Sequence, residues 1–250
     1  MQALTQGRYV ARLAQTRAEV AQAQDLRHLA FHAARGRGAG QGRDQDAFDA
    51  TARHLLILTR DTGALVACAR VQTFIGQAVQ NSYSAQFYDL ARLTAFPGPM
   101  IELGRFCLHP ACHDPDVLRL AWGALARLVD AAGATLLFGC SSFDGAGVTR
   151  HAAALGALLP RVAPDRWRPG LRAPLHVALS DCVGQGSAKE ALAATPALLR
   201  TYLGMGAWVS DHAVIDPDLD TVHVLVGVEI AQIPAARARA LRQIGTENVG

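Results

Sequence analysis

Lysine is nearly missing from this 250-residue sequence: Lys189 stands alone, and all other basic side chains except histidine are arginine. Genome-wide codon preference explains that better than selection for forked arginine contacts. Charge of any sign is sparse, at 18% of residues, and the net charge of +3 lacks the strong positive field of a nucleic-acid binder. It remains compatible with an acidic protein partner or an anionic lipid surface. The five cysteines, Cys68, Cys107, Cys112, Cys140 and Cys182, are odd in number and include no Cys-x-x-Cys pair. That excludes a disulfide framework and a zinc site of the usual spacing. His109, His113, His151 and His176 are not spaced as ligands, so no metal is expected. There is neither a basic start followed by an export-type apolar stretch nor an apolar run of the ~20 residues that span a bilayer. The expectation is a cytosolic protein, with peripheral contact at the inner face of the membrane left open. The glycine-rich run Gly36 to Gly42 has no Gly-Lys-Ser/Thr after it and no strand before it, so it reads as a mobile loop and not a phosphate loop. Ser141-Ser142 lacks a Gly-x-Ser-x-Gly elbow, which argues against a covalent acyl-serine.

Half the residues are hydrophobic, many of them alanine, enough for a packed core. Arg8 to Ala14 reads as a first strand, and Thr16 caps a helix running to about Ala33. Strands over His54 to Thr59 and Ala64 to Thr73 form a hairpin about Asp61-Thr-Gly63. A short helix is expected around Phe87 to Leu90, a strand over Met100 to His109, and a helix from Asp114-Pro115 to about Ala132, ended by Gly133. Thr135 to Cys140 reads as a buried strand, and Asp144-Gly-Ala-Gly147 as the start of another helix. Leu155 to Arg172 shows no clear periodicity. Leu175 to Leu179 and Val222 to Ile230 are late strands with a short helix near Pro196 to Leu203 between them, and the tail beyond Pro234 is a basic helix ending in a polar fray. Hairpins early and alternation with helices later indicate an α/β (α+β) protein, a mixed, mostly antiparallel central sheet flanked by helices, in one domain over 1–250 with 235–250 a helical tail.

Against this apolar background, Asp46-Ala-Phe-Asp49, Arg70 and Ile101-Glu-Leu-Gly-Arg105 stand beside expected strands. Charged groups near a sheet interior are costly unless paired or used, so their recurrence points to a polar cleft. The succession Leu26-Arg27…Phe31, Asp46-x-x-Asp49, Arg70 and Glu102-x-x-Arg105 resembles the acyl-homoserine-lactone synthase branch of the GNAT superfamily. Closer still is the resemblance to the L-ornithine Nα-acyltransferases of ornithine lipid synthesis. It is carried by Phe87-Tyr-Asp-Leu90, Glu102-Leu-Gly-Arg-Phe-Cys107, Leu120-Ala-Trp-Gly-Ala-Leu125, Leu137 to Gly145, Tyr202 to Trp208 and Asp216-Pro-Asp218.

That resemblance implies transfer of a 3-hydroxyacyl chain from acyl carrier protein to the α-amine of an amino acid, ornithine first and glutamine or another as the alternative. The donor is the acylated phosphopantetheine of the carrier protein, a substrate, and no resident cofactor is implied. Where many acetyltransferases carry a basic glycine-rich pyrophosphate loop, this chain has Ala111-Cys-His-Asp-Pro115, which suits a single phosphodiester better than coenzyme A. A lactone synthase using S-adenosylmethionine and a non-catalytic carrier-protein-binding module are the further alternatives.

On this reading Glu102 is the base that frees the amine, directly or through water. Gly104 permits a bulge that turns Glu102 and Arg105 toward one cleft and frees N–H groups near Phe106 and Cys107 for the thioester oxygen. The plain alternative is a surface Glu102–Arg105 pair. Asp46 and Asp49 bind the acceptor's ammonium groups or orient Arg27 and Arg70, or else merely form an acid cluster at a helix start. Arg70 needs a carboxylate, from these aspartates or from the substrate, unless it reaches solvent from an edge strand. Phe31, Phe106 and Trp122 are candidates for an acyl tunnel, with core packing as the alternative. Ser141, Ser142 and Phe143 end a strand where the pantetheine arm is expected. Cys107 and Cys140 read as small core residues. The stretch Arg161 to Arg172, with Trp167 inside it, is a contact for the carrier protein or a membrane, or an ordinary solvated loop.

Overall fold

The computed structural model describes residues 1–33, 36 and 42–246, and the chain gathers into two compact units. The first comprises Met1–Thr73, Ile101–Ala134 and Ala235–Gly250; the second comprises Phe74–Met100 and Thr135–Pro234. In chain order the elements are β1 (Leu4–Gln6), β2 (Tyr9–Leu13), α1 (Arg17–Phe31), β3 (Arg53–Thr59), β4 (Leu65–Phe74), β5 (Tyr88–Asp89) and β6 (Met100–Leu108). There follow α2 (Pro115–Ala131), β7 (Leu136–Asp144), α3 (Ala152–Ala157), β8 (Gly170–Leu171), β9 (His176–Ala178), α4 (Ala188–Ala194) and α5 (Ala197–Gly204). The last are β10 (Trp208–Val209), β11 (His212–Asp216), β12 (Thr221–Glu229) and α6 (Ala235–Thr246). The fold is mixed α/β, with mostly antiparallel strands flanked by helices, as expected.

In the first unit the strands lie in the order β1-β2-β3-β4-β6. The β3–β4 hairpin pairs Arg53 with Val71 and Leu55 with Ala69, then shifts register between Ile57 and Leu58. Helix α1 starts on a reciprocal cap: Thr16 Oγ1 accepts from Glu19 N–H at 3.2 Å while Glu19 accepts from Thr16 N–H at 3.1 Å. Its buried residues are Ala23, Gln24, Leu26 and Arg27. Ala23 and Leu26 pack with Leu56, Leu58, Cys68 and Cys107, so half of that face is apolar and half is not. Helix α2 starts at the Asp114 cap, with Pro115 where a free N–H would go unused, and Gly133 follows its end at φ 56°. Asp114 also accepts from the Tyr9 hydroxyl at 2.9 Å, tying the helix start to β2.

In the second unit β7-β12-β11-β9 is antiparallel, with β10 also on β12. The β7–β12 ladder runs from Thr221↔Asp144 to Glu229↔Leu136. Its core is aromatic and aliphatic: Phe74, Tyr88, Phe96, Phe138, Trp208 and Leu225 are all buried. Trp208 lies over Gly227, where a β-carbon would come within 2.1 Å of the indole, so only glycine admits the ring.

The expectations need correction at several points. Phe87 to Leu90 is not helical; Tyr88–Asp89 pairs with Gly170–Leu171, because a long-range strand partner overrides local preference. The helix expected to open at Asp144-Gly-Ala-Gly147 begins just after it, as a 3-10 turn over Val148–His151 capped by Gly147 that runs on into α3 at Ala152; β7 itself continues to Asp144, and Gly145 N–H donates to Asp220 O at 2.8 Å. Strand 135–140 is therefore short by four residues at its far end. Helix α4 was missed despite an open signal, the Ser187-x-x-Glu190 capping box. Strands β1, β10 and β11 were missed too, being short or joined by tight turns. Most of the Gly36 to Gly42 run, and the polar fray after α6, lie outside the described residues.

Candidate active site

Asp46-Ala-Phe-Asp49 folds as a single tight turn, a 3-10 helix over Ala47–Ala50 with Asp46 as its cap. Asp46 Oδ1 accepts from Phe48 N–H at 2.9 Å, and Asp49 Oδ2 accepts from Asp46 N–H at 3.2 Å. The spacing of three is thus a capping box, which points both carboxylates back toward the turn's start. Each has oxygens left over, and these meet arginines from three other elements.

Arg27 of α1, only 1% exposed, clasps Asp49 in a fork, Nη1 to Oδ1 at 2.7 Å and Nη2 to Oδ2 at 3.1 Å. Its Nε reaches Asp44 Oδ2 at 3.3 Å, and Nη2 donates to the Asp44 carbonyl. Arg70 of β4 donates to Asp46 and, at 3.1 Å, to Asp49, with its guanidinium over the Phe48 ring. Arg105 of β6 pairs with Asp44 at 3.0 Å and Asp46 at 3.4 Å. Three cations and three anions balance inside one unit. Burial by itself would lower the Arg27 guanidinium's pKa, but Asp49 and Asp44 reverse that and raise it. Burial would likewise raise the Asp49 carboxyl, yet the Arg27 hydrogen bond and charge hold it well below the ordinary range. Both groups stay ionised throughout the working pH range. Buried pairs of this kind contribute little net stability, because desolvation offsets attraction.

On β6 one residue leaves the ordinary strand region of backbone space. Gly104 has no positive φ; Arg105 does, at 50°, a left-handed backbone that costs a side-chain-bearing residue about 1–2 kcal/mol. The Asp44 and Asp46 contacts hold it there. Glu102, buried, lies three residues before Arg105, and Phe106, half-buried, follows it. Cys107 faces Cys68 at 3.6 Å between sulfurs. That neighbour and burial push the Cys107 thiol well above its ordinary value, so it is a core thiol and no thiolate nucleophile. Phe31, the last residue of α1, packs on the same apolar cluster, and Trp122 is buried on α2.

A GNAT acetyltransferase domain matches residues 26–123, which span Arg27, the aspartate turn, Arg70 and β6. Over 89% of its length the chain is 32% identical to the L-ornithine N(alpha)-acyltransferase of Brucella abortus, covering 84% of that protein. It is 31% identical to the L-ornithine N(alpha)-acyltransferase of Rhizobium meliloti, over 89% of this chain and 80% of that one. The chain belongs to the L-ornithine Nα-acyltransferase family. A solved CoA-dependent acyl-homoserine lactone synthase, BjaI, with SAM and isopentyl-CoA, is also similar, at 14% identity and a TM-score of 0.49, over 93% of this chain and 85% of that one.

For this acyltransferase, the structure brings Arg27, Asp46, Asp49, Arg70 and Arg105 into one network. It adds three residues that the sequence reading overlooked. Asp44 anchors two arginines, Gln24 donates to Asp49 at 3.0 Å, and His54 is bonded to the Asp49 carbonyl. Burial lowers the His54 pKa, so the ring is neutral. Gln24 precedes Arg27 by one helical turn, a usable signal; Asp44 lies in irregular chain and carried none. Ser141, Ser142 and Phe143 belong to the second unit. They lie at the end of β7, whose last residue is Asp144, and form ladder pairs with Val224, His223 and Val222, alternating buried, exposed, buried. Trp167 is not an exposed anchor: its ring packs 4.7 Å from Phe96, on the second unit's core.

Proposed function

We propose that this chain joins a fatty acyl group to the α-amine of L-ornithine, taking it as a 3-hydroxyacyl thioester from the phosphopantetheine of acyl carrier protein. The observation that carries the acceptor is the near-full-length identity with two L-ornithine N(alpha)-acyltransferases. The donor reading is supported by the start of α2, where Asp114 occupies the cap: an acid there disfavours a diphosphate more than a single phosphodiester.

In the proposed reaction Glu102 takes a proton from the ornithine α-ammonium, directly or through one water. The freed nitrogen attacks the thioester carbonyl carbon, a C–N bond forms and the C–S bond breaks. Backbone N–H groups near Phe106 and Cys107 hold the developing oxyanion, and the thiolate leaves with a proton. Asp46, with 22% of its side chain exposed against 6–7% for Asp49 and Asp44, is the acid we assign to an ornithine ammonium. Asp49 and Asp44 are positioning residues, acting through Arg27, Arg70 and Arg105.

The test is to incubate the purified protein with 3-hydroxyacyl carrier protein and ornithine, glutamine or S-adenosylmethionine. Thiol release is followed and the lipid identified by mass spectrometry. Ornithine should be acylated in preference; binding without thiol release would reduce the protein to a carrier-binding module. Glu102→Gln should keep its circular dichroism spectrum and lose at least ~100-fold in turnover, within the range of a general base. Near-normal turnover would remove Glu102 from that role.

A further inference from the structure

Among the described residues, the large apolar side chains most open to water are Met1, Ile75, Leu159, Leu171, Leu175, Val183 and Leu192, and all but Met1 belong to the second unit. Three of them fall within one stretch, Leu159, Leu171 and Leu175, at 39%, 60% and 50% exposed. Between them stand Arg161, Arg166 and Arg172, all exposed, and Arg168, partly so. The acid of this stretch, Asp165, is spent on Arg168 at 2.6 Å. Leu159, Leu171 and Arg168 line one hollow of about 650 Å³ with Val162, His176 and Val177, and Asp181 and Asp211 line it too. Arg161 and Arg172 stand within two residues of the leucines that line it, which puts exposed cations beside them. Pro160, Pro164 and Pro174, also exposed there, have no N–H to lose its water on contact.

We propose that residues 159–176 dock the protein onto an anionic lipid bilayer, with leucines entering the headgroup region and arginines pairing with lipid phosphates. Charge complementarity and apolar exposure argue together for this occupant. An acidic protein helix would satisfy the arginines and leave three leucines against a polar surface; a charged bilayer takes both. Trp167 has no part in it, being committed to Phe96. The proposal stands independently of the acyl-transfer chemistry.

Sedimentation of the full-length protein with vesicles tests it. Vesicles containing phosphatidylglycerol should bind at least ~10-fold better than phosphatidylcholine alone, and high salt should abolish the difference as screening shortens the reach of the charges. Each arginine removed should weaken binding about fivefold, so R161E/R172E should lose well over ~10-fold. Leu171→Asp should also release the protein from the vesicles. Both variants change exposed side chains, and unchanged thermal unfolding confirms their folding. Equal binding to the two kinds of vesicle would overturn the proposal, as would undiminished binding by Leu171→Asp. So would variants that keep their vesicles but lose affinity for acyl carrier protein, which would assign the surface to an acidic protein.

Discussion

In the first unit the buried polar residues include Arg27, Arg70, Asp44 and Glu102; in the second they are chiefly Ser141, Ser210, His212, Thr221 and His223. The first unit keeps full charges inside by matching each arginine to aspartates. The second keeps neutral groups inside, some with backbone partners and some with none: the Tyr88 hydroxyl donates to His223 O at 2.8 Å and Ser210 Oγ to His212 O at 2.6 Å, while Ser141 Oγ and Thr221 Oγ1 have no hydrogen-bond partner among the described residues. Its one buried aspartate, Asp216, accepts from the Asp218 and Leu219 N–H groups and caps a turn. Matched charges suit the binding of a charged acceptor, since the field is already organised before substrate arrives. Neutral polar groups in an aromatic core suit a scaffold. The difference has consequences for mutation and for pH.

The largest effect should come from unbalancing the charges. Arg27→Met leaves Asp44 and Asp49 buried beside an apolar chain, and should cost about 3–5 kcal/mol in urea unfolding. A loss below ~1 kcal/mol would mean that water reaches these carboxylates, and the contrast between the units would collapse. Next in size is acid sensitivity. Burial, with the neighbouring His212 adding to it, holds His223 down to about 3 against the ordinary value near 6.5. The folded chain cannot take up the proton that the unfolded chain accepts. The resulting stability is complete above pH ~6.5 and falls by about 1.4 kcal/mol for each unit of pH below it, until His223 titrates. Asp49 is depressed as well, so its contribution is intact above pH ~4 and is lost only as pH falls below that. Urea midpoints between pH 7 and pH 5 should therefore drop for the native chain and drop less steeply for His223→Gln, where buried His54 still contributes. Equal slopes would mean that some other group carries the acid response. Smallest is Arg242→Ala, which removes an exposed pair with Asp130 at 2.9 Å; the change in melting should correspond to less than ~1 kcal/mol. A larger effect would show that α6 depends on that pair, making surface charge count as much as buried charge in the first unit.

The aspartate turn shows how far local sequence reaches. Asp46-x-x-Asp49 is a capping pattern, and so are Thr16-x-x-Glu19 and Ser187-x-x-Glu190, the last of which went unread. The β3–β4 hairpin, α1, β6 and α2 were legible from periodicity and end signals, each to within a residue or two. Tyr88–Asp89 was not, because its strand partner lies some eighty residues on, and β7 ran past its apolar residues because β12 offered a longer edge.

Residue order alone settled which side chains carry charge, which segments repeat at helical or strand period, and the family likeness of Arg27, Asp46, Asp49, Arg70, Glu102 and Arg105. These follow from interactions within a few residues of each other along the chain. Tertiary packing decided that Asp44 joins the network, that Arg105 itself adopts the left-handed backbone, and that Trp167 turns inward while Leu171 faces water. Each of those depends on groups brought together from distant positions, where desolvation makes every unmatched charge and every uncovered apolar surface count. No local pattern encodes that sum.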